Sequence, residues 1–340
     1  MVPASVRYFS MKRSALPQSL LITLVLLALQ LPIVRAQPTP RLGTAPSTAP
    51  STAPSGSKYL RFVPEPAGDG GTLQTSIVTF RNADGATVDL IAAIHIADGR
   101  FFHELDQSFA RYDSLLYEMV KPKDADMAQL TGRSTTAPGS RALTSRRSLG
   151  WVTIMQQFLK NNLDLTFQLE EIDYTRKNFV HADLDVDTFL QMQEERGESL
   201  LTLMLQQMLQ ELTRQEAKAA AGEVQPGLGD LILALQSPDR ARQLKLILAK
   251  QFDQIDEMTS GFDGPKGTVL VTERNKAAIK VLQQRLAAGE KRLGVFYGAA
   301  HLKGMEKILT EQMGFKQVGE PKWLIAWDMR AATTRPTTRP

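Results

Sequence analysis

The sequence predicts an α/β (α+β) fold: a central mixed sheet built from two strand–helix–strand units, with a large helical insertion between them. Three observations predict it. Residues 87–120 run apolar strand, amphipathic helix, apolar strand. Residues 292–329 repeat that element order. The stretch between them, about 150–288, reads as mostly helical. Sequential strands joined by a helix favour parallel pairing with a crossover.

The N-terminus is read first. Lys12 and Arg13 precede the apolar run "LLITLVLLALQL" at 20–31, and Val34 and Ala36 offer small residues at an exit. A charged start, a short apolar core and an A-x-A-like site describe a signal peptide over residues 1–36. The run falls short of the ~20 residues that span a bilayer. The protein is therefore expected to be exported, periplasmic or extracellular, with membrane contact only if this segment stays uncleaved as an anchor. Residues 37–57, "QPTPRLGTAPSTAPSTAPSGS", hold almost nothing apolar to bury and read as a disordered Pro/Ser/Thr/Ala tether. Residues 331–340 read as a disordered tail of similar composition. The foldable domain is then 58–330, long enough for one large domain or one domain with an insertion.

Composition excludes several function classes. The 340 residues carry 40 Lys and Arg against 36 Asp and Glu, a net charge of +4. Arg7, Lys12, Arg13 and Arg35 lie in the first 36 residues, which contain no acid, so the remainder is near neutral. No basic block is left to hold nucleic acid. The chain has no cysteine, which removes disulfides, thiolate metal sites, a cysteine nucleophile and a lipid-modified cysteine anchor.

Within the domain, "TSIVTFRNADGATVDLIAAIHI" predicts two strands joined at the Asp84-Gly85 turn, the second over 87–96. Phe101, Phe102, Leu105 and Phe109 then mark one face of a helix, and "SLLYEMV" at 114–120 a short strand. Residues 121–149 read as a polar surface loop. In the insertion, Leu201, Met204, Leu205 and Met208 form an apolar stripe that reads as a core-facing helix. Ser237-Pro238 predicts a helix start and Gly289 a helix end. "RLGVFYGAAH", "LKGMEKILTEQMG" and "KWLIAWDM" close the chain as strand, helix and strand.

Only four histidines occur. His95 and His301 both end apolar runs, behind small residues and ahead of a predicted helix. In open α/β sheets ligands collect beyond the carboxyl ends of strands. Two neighbouring units would bring both imidazoles to one rim, and Gly298 leaves room beside His301. Glu118, an acid in an apolar strand, is costly to bury unless it meets a cation, and it points to the same rim. Two histidines and a glutamate suit zinc and related divalent ions such as manganese and cobalt. Such an ion lowers the pKa of a water molecule and polarises a carbonyl. The plainer reading makes each histidine a hydrogen-bonded structural residue. His103, on the polar side of a helix, and His181, in a loop-like stretch, are weaker site candidates.

At these residues the sequence resembles the TraB/GumN family, which includes the Tiki proteases and groups with erythromycin-esterase-like and ChaN-like proteins. The family carries two GxxH motifs at strand ends, a glutamate after the first, and an Arg-containing helix start before the second. Gly298-Ala299-Ala300-His301 keeps the second motif, while Ala92-Ala93-Ile94-His95 has alanine for glycine. "LLYEMV" supplies Glu118, and "TERNKAAI" supplies Glu273, Arg274 and Asn275. "FQLEEIDYTRKNFVHADL" is similar to the family's middle segment, so the likeness spans roughly 75–328. The resemblance implies a metal-dependent hydrolase, peptidase-like in the Tiki branch, with His95, Glu118 and His301 as metal or catalytic residues. It implies that Arg274 orients Glu118 or stabilises negative charge on the substrate, with Ala92, Gly298, Glu273 and Asn275 in support. Arg274 opens a helix, where a positive charge gains nothing from the helix dipole. That placement suggests a carboxylate partner.

Three functions follow as expectations. The first is an exported metal-dependent hydrolase acting on a peptide or small-molecule substrate. The second is a non-catalytic peptide- or ligand-binding protein on the same fold. The third, a structural envelope protein, leaves the two histidines unexplained.

Overall fold

A computed structural model describes residues 55–66, 70–130, 162–198, 228–252 and 267–331. The signal-peptide reading, the polar loop beyond residue 130, the Leu201–Met208 stripe and the tail after 331 lie outside the described residues. Mixed α/β content around a central sheet is present, as expected.

The strands are β1 (Ser55–Gly56), β2 (Leu60–Pro64), β3 (Gly71–Arg81), β4 (Thr87–Ala93), β5 (Ile96–Ala97), β6 (Ser114–Tyr117), β7 (Thr166–Phe167), β8 (Phe179–His181), β9 (Arg292–Gly298), β10 (Lys316–Gln317) and β11 (Lys322–Asp328). The longer helices are α1 (Gly99–Phe109), α2 (Val186–Arg196), α3 (Leu228–Gln236), α4 (Arg240–Phe252), α5 (Arg274–Ala287) and α6 (Ala299–Glu311). Strands β3 and β4 form the expected hairpin. Asn82 accepts from the Ala86 amide through Oδ1 at 2.8 Å, and Gly85 takes φ 76°, a left-handed conformation that glycine adopts without steric cost.

Four strands run parallel in the order β4, β9, β6, β8. The two histidine-bearing units are thus neighbours in one sheet, with β4 and β9 paired directly. The order corrects one expectation. β4 and β6 are not hydrogen-bonded to each other, because β9 lies between them. β9 buries five consecutive residues, Leu293 to Tyr297, as a central strand covered on both faces must. β3 joins this parallel set to an antiparallel region, pairing with β2, β10 and β11 as well as β4.

Helices cover both faces. On one, Phe101, Phe102, Leu105 and Phe109 of α1 and Leu244 and Leu246 of α4 pack on Ile91, Leu115 and Phe296. On the other, Ala278, Ile279 and Leu282 of α5 and Leu302, Met305 and Leu309 of α6 pack on Val88, Leu90, Val295 and Tyr297.

Several boundaries differ from expectation. β4 stops at Ala93, and a bend leads to β5, which pairs with β7 in a separate small sheet. β8 lies inside the stretch expected to be helical, and His181 lies on it rather than in a loop. A three-residue strand has too little periodicity to announce itself, and its partner β6 defines it. β1 falls in the last residues of the expected tether. Helix α4 begins at Arg240, after Pro238, with Ser237 Oγ accepting from the Asp239 amide at 3.1 Å.

The N-terminal edge is pinned to the body. Tyr59, 3% exposed, donates from its hydroxyl to Glu306 of α6 at 2.7 Å, and Lys58 pairs with the same carboxylate at 2.5 Å. Deleting residues 37–54 should therefore leave the melting temperature unchanged. Extending the deletion through Leu60 removes two buried apolar side chains, at roughly 1.5–3 kcal/mol each. A fall of about 10 °C is expected in that variant, and calorimetry of both truncations checks the pair.

Candidate functional site

The carboxyl ends of β4, β9, β6 and β8 share one edge of the sheet. Glu118 is the first residue after β6. Tyr117 faces the α1 side, so strand alternation sends Glu118 to the α5/α6 side. There its Oε2 accepts the Gly298 amide at 2.6 Å, and its Oε1 accepts Arg274 Nη2 at 2.7 Å. Gly298 eases that approach: a Cβ at this position would stand 3.1 Å from Glu118 Oε2 and push the carboxylate back.

Arg274 begins α5, directly after a π-helical turn at Val269–Glu273, a deformation often found at functional sites. Its guanidinium meets a second acid that sequence reasoning missed. Asp183, two residues past β8, takes Arg274 Nε on Oδ1 at 2.9 Å and Nη2 on Oδ2 at 2.6 Å. Arg274 Nη2 thus bridges two carboxylates. The Asp183 side chain has no exposed surface, and those of Arg274 and Glu118 are 9% and 11% exposed. The buried Tyr297 hydroxyl donates to the carbonyl of Ala182, tying β9 to the residue beside Asp183. The available signal for Asp183 was an aspartate three residues after the apolar pair Phe179-Val180, in a segment too short to read as a strand.

His301 is the third residue of α6, not the last of β9, which ends at Gly298. Asn275 holds it twice. Asn275 Nδ2 donates to the His301 carbonyl at 3.1 Å, which leaves Asn275 Oδ1 to accept from His301 Nδ1 at 2.7 Å. Gly304 makes room, since a Cβ there would fall 2.8 Å from Asn275 Nδ2. With Nδ1 carrying the proton, a neutral His301 presents a bare Nε2, and that atom lies 3.5 Å from Glu118 Oε1. Burial favours the neutral ring and depresses the His301 pKa against the pull of Glu118. Burial alone would raise the Glu118 pKa, but the charges of His301, when protonated, and Arg274, with the Gly298 N–H, hold it below the ordinary range.

His95 is placed differently. It is exposed, in the bend between β4 and β5, and its carbonyl accepts the Gln168 amide at 2.9 Å. Its side chain lies within electrostatic reach of both Glu118 and His301. The two histidines are nevertheless not equivalent. Ala93, not Ala92, pairs with Gly298, so the motifs are offset by one residue. The chain after Gly298 turns at once into a helix, whereas the β-branched Ile94 and Ile96 delay α1 to Gly99. Ala92 is buried on the α5/α6 side in an ordinary strand conformation, so alanine introduces no strain there. Glu273 points elsewhere: it pairs with Arg196 of α2 and with Lys276 at 2.9 Å. His181 donates from Nε2 to the Met119 carbonyl at 2.7 Å, and His103 shares a hydrogen bond with Gln107 on the exposed side of α1.

The donor set fits a divalent ion in part. An imidazole nitrogen and a carboxylate oxygen, both with free lone pairs, face each other at 3.5 Å. Two ligands ~2.1 Å from one ion at tetrahedral angles stand about 3.4 Å apart. Two carboxylates sharing one guanidinium beside a neutral ring also leave one uncompensated negative charge. The third expected donor, His95, is at the rim, and among the described residues no three His, Asp or Glu side chains are gathered tightly enough to enclose an ion. Also among the described residues, no helix is long and apolar enough to cross a membrane. No protein-family model, curated protein or solved structure matches the chain.

The depressed His301 pKa predicts the pH response of the metal-free protein. An unfolded histidine takes a proton near 6.5, before the folded one does. Stability is therefore full above that value and falls with acidification, by at most about 1.4 kcal/mol per pH unit. Melting temperatures measured from pH 7.5 to 5 should fall in the wild type and fall less steeply in His301→Asn, where His181, also depressed by burial, still contributes. The carboxylate of Glu118 adds its own loss only at lower pH, because its pKa is depressed below 4.5.

Proposed function

We propose that the protein is an exported metal-dependent hydrolase, peptidase-like in its chemistry, of the kind the TraB/GumN resemblance implies. The observation that carries this reading is the pair of bare lone pairs, His301 Nε2 and Glu118 Oε1, aimed at one another across 3.5 Å beside an uncompensated negative charge. Left empty, that arrangement is repulsive. A cation relieves it.

His301 and Glu118 would hold the ion, with His95 the third donor that the resemblance implies. A bound Mn²⁺, Co²⁺ or Zn²⁺ supplies Lewis acidity toward a carbonyl and toward water. The chain's own residues do the rest. Asn275 fixes the His301 tautomer, as partners of ligating histidines commonly do. Arg274 and the Gly298 amide fix the Glu118 carboxylate so that Oε1 faces His301 Nε2, where it would serve either as a ligand or, in place of that, as the general base.

The exposed position of His95 favours a second reading, a protein that binds a peptide or small molecule at this rim without turnover. The two readings separate on the fate of the ligand. Incubation of the wild type with Mn²⁺, Co²⁺ or Zn²⁺ and a peptide library should give cleaved products, and His301→Ala should lose both stoichiometric metal and cleavage. Peptide recovered bound and intact supports the second reading. Equal metal content and activity in His301→Ala removes the first. Gly298→Ala should fold, since its Cβ meets only the Glu118 carboxylate and the edge of His301. Displacement of Glu118 should weaken metal binding ~10-fold or more, read by metal titration.

A further inference from the structure

We propose that Asp183 is a positioning residue of the site, acting through Arg274 to keep the Glu118 carboxylate open toward His301 and the site net negative. The proposal rests on the metal-site reading above.

The geometry carries it. Arg274 could face Glu118 with two parallel N–H donors, the usual fork for a carboxylate. It does not. Asp183 takes that fork side-on, through Nε at 2.9 Å and Nη2 at 2.6 Å, Nη1 is turned to the Leu270 carbonyl at 3.5 Å, and Glu118 receives the second hydrogen of Nη2. Arg274 therefore gives Glu118 a single N–H, on Oε1, while the Gly298 amide holds Oε2, and Oε1 keeps a lone pair on the side of His301 Nε2. Charge points the same way. Arg274 alone would neutralise Glu118, and a site with no net charge attracts a cation weakly. The Asp183 carboxylate, with no exposed surface, takes up that neutralisation and returns the site to a net negative charge.

The position of Asp183 is itself secured. Tyr297 donates to the Ala182 carbonyl, and β8 pairs with β6, so the segment carrying Asp183 is registered against the strand carrying Glu118. A carboxylate with a purely structural task would not need to divide one nitrogen with the residue that faces the histidine.

The test is a titration of the full-length protein with Mn²⁺ alone, read from the electron paramagnetic resonance signal of the free ion, with circular dichroism to confirm folding. Asp183→Asn keeps the side-chain shape and removes the charge. A dissociation constant ~10–100-fold weaker than the wild type is expected, the usual effect of changing a partner of a metal-site residue. If Asp183→Asn does not fold, Asp183→Glu decides: it keeps the charge but shifts the fork by a methylene, and several-fold weaker binding is expected. Wild-type affinity in whichever variant folds overturns the proposal, because a structural role would lower stability and leave the affinity of folded molecules unchanged. No Mn²⁺ binding by the wild type overturns the metal reading itself, and this proposal with it, which distinguishes the two failures.

Discussion

The Arg274 guanidinium is the contact on which the rest of the site depends. It joins the end of β8, the end of β6 and the start of α5 in one buried cluster. Without it, two carboxylates would lie close together with little water to screen them. Buried ion pairs of this kind contribute little net stability when complete, because desolvation offsets attraction. Losing one member is different, at about 3–5 kcal/mol, since a charge is left uncompensated. The cluster therefore constrains the fold more than it stabilises it. It tolerates one arrangement of three segments, and that arrangement puts Glu118 where the other groups need it. A lysine could not substitute, because a point charge cannot fork onto one carboxylate while reaching another.

A second layer of control is purely local. The neutral His301 tautomer is set by an amide whose own orientation is set by a backbone carbonyl, so no charge is needed to define which ring nitrogen is bare. Two glycines serve this layer by leaving space. Gly298 admits the Glu118 carboxylate to a backbone N–H, and Gly304 admits the Asn275 amide between α5 and α6. The geometry of this rim thus depends on positions that bear no functional group.

Much of this was legible in the sequence. The apolar runs and the helical stripe of Phe101 to Phe109 locate the two units. The requirement that a buried acid find a cation singled out Glu118, and the cation it meets is Arg274. What escaped has a physical reason. Strand order is invisible to periodicity, so the insertion of β9 between β4 and β6 could not be read. β8 is three residues long, and its register comes from β6 rather than from any pattern of its own. Asp183 was missed along with it. The likeness of the His95 and His301 motifs suggested equivalent places, but a one-residue offset in pairing and an early helix start put one imidazole in the interior and the other on the surface.

The central position of β9 also bears on how the chain acquires its structure. β4 and β6 are made within thirty-one residues of each other, yet the strand that joins them begins at Arg292. Contacts of such long sequence separation form late and slow the folding reaction. Until β9 arrives, two apolar strands expose unpaired edges toward a gap one strand wide, the kind of edge that captures another chain. A nascent or newly released molecule is therefore most vulnerable to association before its C-terminal third has docked. Any helper protein that shields it would have to recognise an open slot in a sheet rather than a missing surface helix.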